Sequence, residues 1–202
     1  MGRHTGQRGE QASKRNSMEV AEERGIAAIR RNFTADDRQI FEIVAQLLRS
    51  ELVGAARLFD PESLGVTVVG FSRYSSNHRV KGPRTSDVIR VVAGTGDPVT
   101  VRLGALGVFG SGSKHKLGFH LRDESDTLAN EVSSLEGEFA GRGFPLKRDY
   151  NTTEDGYAPH CSIALLYEDH VGHFTEPSVL LRLGNLLVAH IGDPEITLLP
   201  VR

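Results

Sequence analysis

The order of periodic segments along the chain predicts an α+β fold with a largely antiparallel sheet. Three observations carry that reading. Two segments have apolar residues at helical spacing, the runs between and after them look like strands, and a GSGSK turn joins two of those strands directly.

Taking the elements in order, residues 1–17 (MGRHTGQRGEQASKRNS) are polar and glycine-rich, with Arg3, Arg8, Lys14 and Arg15 against Glu10. They hold too little apolar surface to offset the cost of ordering, so a disordered basic arm is expected there, followed by a single domain over 18–202. Residues 25–29 (GIAAI) fit either a short strand or the end of a first helix. Thr34 and Asp37 then form a Thr-x-x-Asp capping signature, and Ile40, Phe41, Val44, Leu47, Leu48 and Leu52 follow at helical spacing. This helix is expected to run to about Phe59, with DPES (60–63) ending it.

Strands are expected at 64–71 (LGVTVVGF), 87–93 (DVIRVVA), 98–109 (PVTVRLGALGVF) and 115–121 (HKLGFHL), the last two as a hairpin across GSGSK (110–114). A second helix is expected over about 126–141, where Leu128, Val132, Leu135 and Phe139 recur and Gly141 and Gly143 mark the stop. After a polar loop comes the strand 161–167. The segment 176–184 reads as a short helix, and 186–190 and 195–201 as a closing strand pair.

Bulk properties exclude several classes. The 202 residues carry a net charge of −2, which gives no overall basic field for nucleic acid, so any polyanion binding needs a local patch. A lone cysteine, Cys161, excludes an internal disulfide and suits a reducing compartment. No apolar run approaches a membrane span and no signal-peptide pattern opens the chain, so a cytoplasmic protein is expected, monomeric by default.

The chemistry concentrates in APHCSIALL (158–166). In a strand, residues i and i+2 share a face, so His160 and Ser162 project together while Cys161 and Ile163 point away. A histidine beside a hydroxyl can move protons near neutral pH and hydrogen-bond a phosphate oxygen. A strand-end histidine with a locally bonded serine fits the same residues. A second segment rhymes with it: PESLGVTVVGF (61–71) also sets a hydroxyl two places into an apolar strand.

In their order and spacing, PESLGVTVVGF, VRLGALGVFG (101–110), TLANEVSSLEGEFAGRGF (127–144) and APHCSIALL resemble the two-histidine (2H) phosphoesterases, the superfamily of 2′-5′ RNA ligase and cyclic phosphodiesterase proteins. The resemblance implies a bilobal, pseudo-symmetric fold of antiparallel sheets with flanking helices, in which two His-x-[Ser/Thr] motifs face one cleft. It implies acid/base catalysis on 2′,3′-cyclic nucleotide phosphates or RNA 2′-5′ linkages, with no cofactor or metal and with a nucleotide or RNA end as partner. His160 would be the catalytic proton carrier, and Thr67 and Ser162 would bind the substrate phosphate. The first motif departs from the pattern, because Gly65 stands where a histidine is required. Two consequences stay open: His78 or His120 acts as an auxiliary substitute, or the chain is a weak catalyst or a non-catalytic RNA-end or nucleotide-binding module of the same fold. A structural or interaction α+β domain with a coincidental resemblance is the third alternative, and a structure in which Thr67 and Ser162 do not face one cleft would favour it.

The remaining candidates are weaker. SSNHRVKGPR (75–84) could touch substrate phosphates, but a solvated basic loop is the favoured reading. Asp169, His170 and His173 offer metal-ligand types without a complete set. Cys161 lies on the face opposite His160, which disfavours a Cys–His pair. GSGSK lacks the Gly-Lys-[Ser/Thr] ending of a phosphate loop and does not open a helix.

Overall fold

A computed structural model describes residues 27–71, 83–92, 96–110, 113–144, 146–147, 152–153 and 156–201. The basic arm expected over 1–17 and His78 lie outside these residues, as does most of the 75–84 loop.

The chain is α+β with antiparallel sheets and flanking helices. Its strands are β1 (Ala28–Asn32), β2 (Ala56–Leu58), β3 (Gly65–Gly70), β4 (Val99–Phe109), β5 (Lys116–Arg122), β6 (Thr152–Thr153), β7 (Gly156–Tyr157), β8 (His160–Leu166) and β9 (Glu195–Leu198). Its helices are α1 (Ala35–Arg49), α2 (Thr85–Val92), α3 (Thr127–Gly141), α4 (Val171–Thr175) and α5 (Pro177–Ile191). A large sheet has the order β2-β8-β5-β4-β9, β1 pairs with β3, and β6 pairs with β7, all antiparallel. Helices α1 and α5 pack together on the large-sheet side, while α3 packs on β3. Among the described residues no helix is long and apolar enough to cross a membrane.

The capping signature forms as read. The Asp37 amide donates to Thr34 Oγ1, and the Asp37 carboxylate in turn accepts from the Thr197 amide at 2.9 Å, tying the start of α1 to β9. The described part of the ambiguous segment 25–29 enters a strand, β1, which reaches on through Arg30, Arg31 and Asn32.

Three segment expectations are corrected. Helix α1 stops at Arg49, ten residues before Phe59, because the chain turns through Gly54 at φ +73° and re-enters the sheet as β2. Leu52 still buries, now from the turn, which is why its spacing read as helix. Of the expected strand 87–93, the described residues DVIRVV (87–92) are helix: Val88 and Val92, four apart, are buried while Ile89 between them is exposed, so one helical face overrides the β-branched composition. Finally, the segments expected as a helix at 176–184 and a strand at 186–190 form one helix, α5 (Pro177–Ile191), with Leu183 and Leu187 buried on one face. Gly184 costs such a helix about 1 kcal/mol without breaking it, and the stop is Gly192 at φ +68°. β9 therefore closes the sheet alone, against β4.

One buried charge ties the pieces together. Arg31 on β1 is 1% exposed and forms a two-pronged pair with Glu131 of α3 at 2.7 and 2.8 Å. Its Nη1 also donates to the carbonyls of Asp97, Leu198 and Leu199. A buried guanidinium is tolerated only when its donors are met in this way.

Candidate functional site

Thr67, Ser162, His160 and Gly65 all line one cleft of about 350 Å³ between β3 and β8. The two strands meet it in matching ways. On β3, Arg30 of β1 pairs with Thr67 and Ile29 with Val69, leaving Val68 as an extra residue. On β8, Gly118 pairs with Ser162 and Leu117 with Ala164, leaving Ile163 extra. Each strand thus carries a β-bulge one residue after its hydroxyl. A bulge re-aims the side chains beside it, and here both hydroxyls turn into the cleft. The rhyme between the two sequence segments is therefore a rhyme in hydrogen-bond register.

His160 sits at the start of β8. Its Nδ1 lies 3.3 Å from the Ala158 carbonyl, the partner for an Nδ1–H, which leaves the lone pair on Nε2. Phe109 stacks on the ring at 4.1 Å with only 6° between planes and fixes its plane. Burial holds the imidazole below its ordinary pKa, partly opposed by the Ala158 carbonyl, while Lys116 and His120 add to the lowering. A neutral ring at pH 7 is a proton acceptor, the state a general base needs.

Cys161 points away and is fully buried, and burial pushes its thiol up to about 12, which makes it a core group. Thr67 is braced from behind. The Tyr157 hydroxyl donates to the Thr67 backbone carbonyl at 3.0 Å, and burial, with Glu131 and Asp123 adding, keeps that phenol protonated far above neutrality.

His120 lies directly across the ladder from His160 and packs on the same Phe109 at 4.7 Å, but it is not among the residues lining the cleft. The corresponding partner of Gly65 is Asn32. A Cβ at Gly65 would meet the Arg31 carbonyl oxygen at 2.6 Å and Asn32 Oδ1 at 3.1 Å. Glycine at this position lets β1 and β3 close, so the histidine's absence is built into the backbone around it.

Two residues of the cleft escaped the sequence reading. Arg30 lines its β3 side, with Nη2 donating to the Gly65 carbonyl at 3.1 Å and Nη1 to the Ser63 carbonyl at 3.3 Å. Lys116 lines its β8 side, close enough to influence His160. No carboxylate is among the described residues lining the cleft. A protein of net charge −2 thus gathers two fixed positive charges in one hollow. Alternation along β1 and β5 was the available signal, but it could be applied only once the ladder partners were known.

Asp169, His170 and His173 fall on a short 3₁₀ turn and α4, and among the described residues no group of three or more His, Cys, Asp or Glu could hold a metal ion.

No protein-family model and no curated protein matches the chain. Among solved structures it is similar to Usb1 of Kluyveromyces marxianus, at 14% identity and a TM-score of 0.46, covering 86% of this chain and 85% of that one. It is likewise similar to the same protein with uridine monophosphate, at 14% identity and a TM-score of 0.41, covering 86% of both chains.

Proposed function

We propose that this chain is a phosphoesterase-type protein acting on phosphodiesters at nucleotide or RNA ends, namely 2′,3′-cyclic phosphates or 2′-5′ linkages. The observation that carries the reading is the shared cleft, in which a base-competent His160 and the hydroxyls of Thr67 and Ser162 converge from two strands with the same bulge. His160 Nε2 takes the proton from the attacking water or hydroxyl. Thr67 and Ser162 hold the non-bridging oxygens. Among the described residues lining the cleft no second histidine stands ready to protonate the departing oxygen, so its charge falls to Arg30 and Lys116, which stabilise but do not replace a general acid. A missing acid costs roughly 10²–10⁴-fold, and slow turnover is expected.

A specific observation supports a second reading, that of a binding module without turnover: the backbone wall at Gly65, which no side chain can enter as the strands stand. Hydrolysis of a 2′,3′-cyclic nucleotide, followed by chromatography with excess chelator present, separates the two. Slow product formation by the wild type and none by His160→Ala supports the enzyme. Equal inactivity of both, with saturable nucleotide binding, assigns the binding role instead.

A further inference from the structure

We infer that Arg30 and Lys116 make this cleft a receptor for a terminal phosphate dianion, a phosphomonoester on a nucleotide or RNA end, in preference to a phosphodiester. The inference rests on the phosphate-site reading above but concerns which phosphate is held best.

Among the described residues, the half of the cleft beside Gly65 holds no histidine, yet it is not without function. Arg30 sits across the ladder from Thr67, and two of its N–H groups are spent on the carbonyls of Gly65 and Ser63. A guanidinium has five such donors, so three remain. The two carbonyl bonds fix the fork in place before any ligand arrives, which reduces the ordering cost of binding. A preset guanidinium suits two-pronged contact with phosphate oxygens.

Lys116 approaches from the other strand and has no ion-pair partner among the described residues. Two fixed cations, two hydroxyls and an imidazole therefore face one hollow with no described carboxylate. A diester brings one negative charge. A monoester brings about 1.5 to 2 at neutral pH. The additional charge, placed beside an exposed Arg30 and a half-buried Lys116, is worth roughly tenfold in affinity. A guanidinium cannot give up its proton, so a cleft with Arg30 beside Gly65 favours holding the ionised product over making it.

Calorimetric titration at pH 7.5 and low salt tests the inference with three probes: 2′-deoxyadenosine 3′-monophosphate, its methyl ester, and inorganic phosphate. The deoxy sugar prevents attack by a 2′-hydroxyl, so binding is read without turnover. The monoester is expected to bind about tenfold tighter than the methyl ester. Arg30→Gln and Lys116→Gln should each weaken the monoester severalfold while changing the methyl ester little, and the preference should shrink in 0.5 M salt. Arg30 is exposed and Lys116 half-buried, and an unchanged urea midpoint in each variant shows that the fold survives.

Equal affinity for monoester and methyl ester, or binding of neither, overturns the inference. Inorganic phosphate binding as tightly as the nucleotide overturns the assignment to a nucleotide end. A monoester preference without any turnover of cyclic nucleotide upholds this inference and removes the catalytic reading. Turnover without a preference does the opposite.

Discussion

If Gly65 were a simple loss of a catalytic histidine, Gly65→His would restore a second proton carrier and raise turnover by roughly 10²–10⁴-fold. The packing around Gly65 predicts otherwise. A Cβ there would lie 2.6 Å from the Arg31 carbonyl oxygen and 3.5 Å from its carbon. That contact is about 0.8 Å too short for ordinary packing, and the obstacle is backbone that cannot rotate aside. Nor can β1 easily withdraw. Arg31 follows Arg30 on the same strand and is anchored to Glu131, Asp97, Leu198 and Leu199. Moving β1 away from β3 pulls on each of these bonds.

Overpacking of this kind costs about 1–3 kcal/mol. Replacing a strand glycine by alanine in open space would return about 0.5–1 kcal/mol. The net expectation is a loss of about 0.5–2 kcal/mol for Gly65→Ala, and more for Gly65→His. Urea unfolding reads the stability, and 2′,3′-cyclic nucleotide hydrolysis reads the chemistry. Both variants should be destabilised, and Gly65→His should gain no more than a few-fold in rate. A Gly65→His protein as stable as the wild type and at least a hundredfold faster would refute the reasoning, because the wall at Arg31 would then be no wall.

Three further outcomes follow from the same contacts. Glu131→Ala strands the Arg31 guanidinium in the core and should cost about 3–5 kcal/mol in urea unfolding. Tyr157→Phe removes the hydrogen bond to the Thr67 carbonyl; it should cost about 1 kcal/mol and slow turnover severalfold, read by unfolding and by the cyclic nucleotide assay. His120 and His160 are both lowered by burial, so below about pH 6.5 the unfolded chain binds protons that the folded one refuses. Stability should therefore be complete above that pH and fall as the pH drops through the folded values. Urea midpoints at pH 7.5, 6.5 and 5.0 should decrease in that order, and His160→Gln should flatten the trend.

What the sequence made legible was local and periodic. The His-x-Ser pair reads as one face because strand alternation is fixed by geometry, and Thr34 reads as a cap because its partner is three residues away. What stayed hidden depended on distant partners. Arg31 and Glu131 are 100 positions apart, and nothing in either neighbourhood announces the other. Arg30, just after the ambiguous 25–29 segment, and Lys116, in the expected strand 115–121, carry no local mark until the ladder sets one beside Thr67 and brings the other to the cleft with His160. DVIRVVA failed for a different reason: a short β-branched run satisfies both periods, and only the burial of Val88 and Val92 together decides between them.

The two bulges explain how strands this apolar can carry a polar site. Along β3, Val66, Val68 and Val69 are all buried, and along β8 so are Cys161, Ile163 and Ala164. Strict alternation would put Thr67 on the same face as Val69, and Ser162 on the same face as Ala164. One member of each pair would then be misplaced, either a hydroxyl in the core or an apolar side chain in the cleft. The extra residue, Val68 or Ile163, breaks the phase between them, so Val69 and Ala164 bury while Thr67 and Ser162 turn out. The sequence mark of this device is a hydroxyl followed by consecutive apolar residues, TVV in one strand and SIA in the other. That both strands use it at the same offset is hard to derive from packing alone, since the large sheet and the β1–β3 pair have different neighbours. It follows directly if the two halves were shaped to hold one ligand between them. On that view Gly65 changes what the cleft can do to the ligand without changing where the ligand sits.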